Sequence, residues 1–426
     1  MTAGLVAVVA AGLAACGAEE SPALPEATTG RTAAPTANRV SIEFQLRAEP
    51  EEAAVYEAVV EAYEQEHLEV DIEMVPLSGD DHLTRLTTAF ASGEPPDVFL
   101  LNYREYAPFV QRGAIEPIGP LLDVDLTTYF PEPVAAFTIS DTLQCMPQNV
   151  SSLVVYYNRE LFAAAGVTIP PDSWTWAQFA DAARALTTDD VHGVGLDPRL
   201  RRLAPFVWSN GGEIVDDTVA PTAMTLGEPA AREALELLVA LQAEGVSPSG
   251  EDVAAAGLDE QFINGTLAMY LSSRVDTPQF REQDLDFDVA PLPVLQEPVS
   301  VLHSDAYCLA TGVDTADAAV DFIRFAAGEQ GQRIAALGGR TVPSLISVAE
   351  SPAFLNPTVQ PASSQVFLDA VPLLRRTPVI TTWSEVEDVV DGLLAQAFYE
   401  GRPLDEVLVE IEQSANPLLA AGSLPR

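Results

Sequence analysis

The chain contains no lysine; its 21 basic residues are all arginine. That absence removes several chemistries together. A phosphate-binding loop needs its lysine, a Schiff-base enzyme needs an amine, and a protein kinase needs its strand lysine. Positive charge of any kind is scarce: 63 acidic residues stand against those 21, a formal net charge of −42. Nucleic-acid binding, which rests on cations neutralising phosphates, does not fit that balance. Docking on anionic lipid through a basic patch does not fit it either. Most of the acids read as a solvated face. Histidine is rare too, and His67, His82, His192 and His303 are scattered without ligand spacing. Of the three cysteines, Cys145 and Cys308 without accompanying histidines cannot close a tetrahedral site. No metal and no cofactor are expected.

What is present begins with an apolar run. Residues 2–15 are small and apolar and end in Leu13-Ala14-Ala15-Cys16-Gly17. The run is too short for a bilayer-spanning helix, which takes ~20 apolar residues, and it has no polar face for a core helix. Its ending resembles a bacterial lipobox, which makes residues 1–16 a lipoprotein signal peptide and Cys16 a lipidated mature N-terminus. The protein is then expected on the outer face of the cell membrane, touching the membrane only through that lipid. One feature departs from the pattern: no arginine precedes the run. Residues 17–39 are mainly Gly, Ala, Ser, Pro, Thr and Glu, a composition that builds no core and reads as a tether. The remainder exceeds one ordinary core, so two lobes are expected.

Residues 40–44 alternate like a strand, and 51–65 read as an amphipathic helix with Val55, Val59, Ala62 and Tyr63 on one face. Residues 70–75 alternate again, 82–91 are helical and 97–101 form a buried strand. This is the pattern of an α/β layer with a mainly parallel sheet. Further on, 150–157 and 306–310 read as strands, and 232–242, 316–327, 385–398 and 404–413 as helices. A helical element begins at Asp259, while Pro291 and Pro293 keep 287–289 extended. There is no internal repeat.

Several segments, in this order, resemble the extracellular solute-binding proteins of ABC importers, in the large family whose members mostly bind sugars. They are EAYEQEHLEVDIEMVP at 61–76, LTTAFASGEPPDVFLL at 86–101 and MPQNVSSLVVYYNRELF at 146–162. WTWAQF at 174–179, Asn210-Gly211-Gly212, FINGTLAM at 262–269, VAPLP at 289–293 and AVDFIRF at 319–325 follow. Each fragment is weak alone; together they run from about residue 40 to about 415. The resemblance implies a two-lobed α/β periplasmic-binding-protein-like fold of class II, with three hinge crossings and a ligand cleft between the lobes. Lobe 1 would hold 40–146 plus 309–362, and lobe 2 would hold 149–305 plus 376–420. Ligand would shift an open–closed equilibrium, and a monomer would hand it to permease subunits served by a separate ATPase. No covalent step and no catalytic residue are implied.

Sugars are held by planar polar groups and by aromatic faces. The family's cleft positions correspond here to Gln45, Arg47, Asn102, Tyr103, Arg104, Gln148, Asn149, Ser151, Ser273, Arg274, Asp305, Tyr307, Arg340 and Trp383, and Trp208 before Asn210-Gly211-Gly212 is a candidate stacking platform. Tyr156, Tyr157, Trp174 and Trp176 read instead as packing. Two family platforms are missing: the first strand reads Phe44-Gln45-Leu46-Arg47, and Ser273-Arg274-Val275 replaces a later aromatic. Those departures favour a monosaccharide, polyol or glycerol-phosphate-like ligand over a stacked oligosaccharide. In the family, the segments carrying Cys145 and Cys308 lie side by side, which leaves a disulfide and two buried thiols as alternatives. The rival readings are a secreted carbohydrate-active enzyme, and a non-transporting homologue used in sensing or adhesion.

Overall fold

A computed structural model describes residues 39–422 apart from 80, 171, 172 and 284. The signal peptide, Cys16 and residues 17–38 of the expected tether lie outside the described residues. Nine strands build the two larger sheets: β1 (Val40–Arg47), β2 (Val70–Leu77), β3 (Val98–Asn102), β4 (Ile115–Glu116), β5 (Met146–Pro147), β6 (Val154–Asn158), β7 (Met269–Ser272), β8 (Phe287–Ala290) and β9 (Asp305–Ala310). The helices that matter below are α1 (Pro50–Glu66), α2 (Asp81–Ser92), α3 (Leu200–Ser209), α4 (Pro229–Ala243), α5 (Ala316–Ala327), α6 (Trp383–Tyr399) and α7 (Leu404–Ala421).

The first sheet has the order β2-β1-β3-β9-β4, with β5 also pairing β9. Period-two burial sets the face of β1, which places Ile42, Phe44 and Leu46 in the core. α1 and α5 cover that face, and Phe44 meets Tyr56, Tyr307 and Phe322 there. β1 runs parallel to β2 and β3, as βαβ connections require. The sheet is not parallel beyond β3. β9 arrives from a distant part of the chain and runs antiparallel to β3, β4 and β5.

The second sheet, β8-β6-β7, is antiparallel throughout. β6 is buried on both faces, so its side chains divide by alternation between two cores. Val154 and Tyr156 join the core that contains the first sheet, whereas Val155 and Tyr157 join a second core with Trp208, Trp383, α4, α6 and α7. Burying one such aliphatic side chain contributes ~1.5–3 kcal/mol, so both cores are anchored by this one strand. The strand is shorter than expected: residues 150–153 leave the sheet, and Ser151 forms an isolated bridge with His303.

That bridge belongs to a band of chain running side by side between the cores. Gln148 N donates to Asp305 O at 2.9 Å, Ser151 and His303 exchange two backbone bonds of 2.8 Å, and Leu302 N donates to Arg375 O at 2.8 Å. Beside this band Cys145 and Cys308 are joined by a disulfide, both fully buried. No helix among the described residues is long and apolar enough to cross a membrane.

Candidate functional site

A cavity of about 570 Å³ lies over the band. The β3 end and the loop after it supply Asn102, Arg104 and Glu105; β1 supplies Arg47, and α2 supplies His82 and Leu83. The band itself supplies Asn149, Ser151, His303 and Asp305. Arg199, Arg201 and Arg202 come from the start of α3, and Ser384, Glu387, Asp388 and Asp391 from α6. Ser273, Val275 and Arg340 complete the polar wall with its few apolar patches. No phenylalanine, tyrosine or tryptophan is among these lining residues.

The polar groups are tied together. Asn102 Nδ2 donates to Asp305 Oδ1 at 3.1 Å, and its own oxygen accepts from Arg104 Nε at 3.0 Å. Arg104 then donates to both oxygens of Glu387, at 3.0 and 2.7 Å. Asn149 Oδ1 accepts from Asp305 N at 2.8 Å, fixing the band against the β9 end. Arg47 reaches Glu105 at 3.1 Å, and Arg340 reaches Glu52 at 3.3 Å while lying over the Tyr56 ring. Both cavity histidines are held neutral at pH 7. Burial pushes His82 down to about 4, against the Leu100 carbonyl that it bonds. Burial, aided by the charges of Arg202, Arg104, Arg201 and Arg199, holds His303 well below its ordinary value.

Asp391 behaves in the opposite sense. Its Oδ1 accepts from the Leu200 amide at 2.6 Å and so caps α3. Burial pushes its carboxyl up to about 7 and Glu387 adds to this, while the Leu200 amide and Arg201 pull the other way. The folded chain therefore holds a proton that an unfolded aspartate, near ~3.9, releases. Its contribution makes stability fall as pH rises from about 4 to about 7 and leaves it level above that window. Asp391→Asn keeps an oxygen for Leu200 and removes the charge. The variant is expected to gain stability over the parent at pH 8, with the gain vanishing near pH 4, in urea unfolding; an equal difference at both pH values would refute this.

Eight of the fifteen residues expected at the site line the cavity: Arg47, Asn102, Arg104, Asn149, Ser151, Ser273, Asp305 and Arg340. The other seven are placed elsewhere. Gln45 is buried beneath His82 and donates to its carbonyl at 3.0 Å. Tyr103 bonds Thr377, and Gln148 donates to Tyr56 and Tyr307 inside the first core. Arg274 is buried against Phe354 and Phe367 and donates to Gly339 O and Ser364 Oγ, which makes it a brace between segments. Trp208 and Trp383 are buried in the second core, with the outer face of Trp208 covered by Arg375. Large apolar rings are drawn into cores before they serve as platforms, which explains both misplacements.

Sequence reasoning missed Arg199, Arg201 and Arg202 and the acids of α6. The signal for the former was visible as three arginines within four residues of a chain so short of cations. α3 itself was hidden by Pro205, which the helix carries in its interior.

Two α/β lobes about a polar cavity define the class: the fold is that of the two-lobed periplasmic binding proteins. It matches the ABC substrate-binding protein Lmo0181 from Listeria monocytogenes, solved in complex with cycloalternan, with a TM-score of 0.83 at 21% identity, covering 89% of this chain and 98% of that one. Residues 48–333, well over half of the chain, match the bacterial extracellular solute-binding proteins, and the protein belongs to that family. A putative binding protein of Brucella abortus is 24% identical over 85% of this chain and 89% of its own length. The diacetylchitobiose binding protein DasA of Streptomyces coelicolor is 23% identical over 79% and 80%. Membership of an extracellular family places the protein outside the cytoplasm.

Proposed function

We propose that the protein is the lipid-anchored solute receptor of an ABC importer, binding a mono- or small oligosaccharide, a polyol or a glycerol-phosphate-like solute. The observation that carries this reading is the composition of the cavity wall. Asn102 and Arg104 from one core, α3 and α6 from the other, and the band between them converge on one space rich in hydrogen-bonding groups. Such a wall exchanges its bonds to water for bonds to hydroxyls, and groups carried on both cores are drawn together by one ligand. In this reading lobe 1 is 40–146 plus 309–362, lobe 2 is 149–305 plus 376–420, and the band is the hinge. The solute passes unchanged to permease subunits, and a separate ATPase powers the transfer. The lipid on Cys16 keeps the receptor beside them.

The test is a thermal-shift screen of the purified protein with monosaccharides, disaccharides, polyols and their acids and phosphates. A ligand at a hundredfold excess over its Kd adds about 2.7 kcal/mol to folding stability, well above detection. A hit recovered unchanged after incubation supports a receptor. Silence across the panel, or turnover of the hit, argues against one.

A further inference from the structure

The cavity is rich in cations inside a chain that is strongly acidic. Six arginines line it, with the acids Glu105, Asp305, Glu387, Asp388 and Asp391. The arginines are not equivalent. Arg47, Arg104 and Arg340 each have a carboxylate of their own, in Glu105, Glu387 and Glu52. Arg199 and Arg202 share one, Asp197. Arg199 Nε takes both of its oxygens, at 2.8 and 2.6 Å, and leaves Arg202 Nε 3.6 Å away. Arg201, between them in sequence, has no carboxylate within ion-pair distance among the described residues.

The acids do not fill that gap. Glu105 and Glu387 are engaged with Arg47 and Arg104, Asp305 accepts from Asn102, and Asp388 has a partner as well. Asp391, on whose carboxyl the charge of Arg201 acts, is spent in capping α3. Donors remain over. Arg202 is more than nine-tenths buried, yet its Nε and Nη1 have no hydrogen-bond acceptor, and His303 Nε2 has no partner either. Buried N–H groups without acceptors are costly, and crowded guanidinium groups repel one another. A planar or tetrahedral oxyanion relieves both, since its oxygens match the fork of a guanidinium. A neutral hydroxyl relieves only the first. Among the described lining residues no phenylalanine, tyrosine or tryptophan offers a face to a sugar ring, so charge and hydrogen bonds weigh more in the affinity.

We propose that the solute carries an anionic group, a carboxylate or a phosphate, seated against Arg201 and Arg202 at the start of α3, with a sugar or polyol as the rest of the molecule. This rests on the receptor reading above and narrows its ligand class. The test is titration calorimetry of the full chain at low salt with two matched pairs: glucose against glucuronate, and glycerol against glycerol 3-phosphate. The charged member of one pair is expected to bind at least tenfold more tightly than its neutral partner, and the pair that responds tells carboxylate from phosphate. Arg201→Ala is expected to weaken that binding at least tenfold without lowering the unfolding midpoint, because Arg201 holds no carboxylate in the fold and is crowded by Arg199 and Arg202. Arg201→Lys is expected to recover part of the loss by restoring charge.

A neutral probe binding as tightly as its charged partner overturns the inference and leaves the receptor reading intact. Charged-probe binding that Arg201→Ala does not change overturns the seat. Silence of all four probes beside a neutral hit in the thermal screen also overturns the inference; silence in both experiments overturns the receptor reading with it.

Discussion

Replacing Cys145 and Cys308 together by alanine is expected to lower the unfolding free energy by about 2–5 kcal/mol. The cross-link spans 163 positions of sequence. In the chain-entropy account a loop of that length removes ~5 kcal/mol of freedom from the unfolded ensemble, the upper end of what disulfides contribute. Two buried sulfur atoms are also lost from a closely packed place between β5 and β9, which adds a small cavity cost. The bond ties the start of the 148–151 crossing to the end of the 303–305 crossing, so its loss is felt where the cores are joined. Urea unfolding of oxidised parent and double variant measures the difference. Equal midpoints and slopes would show that the bond contributes nothing to the folded protein.

Glu387→Ala is the second large effect, with an expected cost of about 3 kcal/mol. Arg104 and Glu387 are each about one-tenth exposed, at 11% and 10%, so this pair is not the screened surface kind. Removing the carboxylate leaves a desolvated guanidinium with only the Asn102 oxygen to receive it. Removing both partners removes that conflict, so Arg104→Ala with Glu387→Ala is expected to cost less than the two single changes added together. A double-mutant cycle in urea gives the coupling directly. A coupling near zero would mean that the pair is solvated and carries no weight in holding α6 against the loop after β3.

The first sheet was legible in the sequence because its strands and helices repeat at 2 and 3.6 residues with one buried face each. β1, α1, β2 and β3 all lie within a few residues of their expected positions. The second sheet was less so. β6 is buried on both sides, and a run such as Val154-Val155-Tyr156-Tyr157 carries no alternation by which to find its end. At the site, Asn102, Arg104, Asn149, Ser151 and Asp305 were recoverable through the family resemblance, because they lie in or beside segments whose motifs align. Glu387, Asp388 and Asp391 were not, because nothing local separates three acids from the 63 in the chain. The tryptophans misled for a physical reason: a ring that suits a sugar face suits a hydrophobic core as well, and Trp208 and Trp383 went to the core.

The place of β9 has a consequence for the order in which the chain assembles. β9 lies between β3 and β4, yet it is made two hundred residues after β3 (roughly, at the usual pace of synthesis, ten seconds or more). Until residues 305–310 emerge, β3 presents an unpaired edge, the template on which strands from other chains add. A fragment ending before Asp305 is left with that edge open, and the first core cannot close early. Late, long-range pairing of this kind slows folding, and the interval before it is when the chain is most exposed to aggregation.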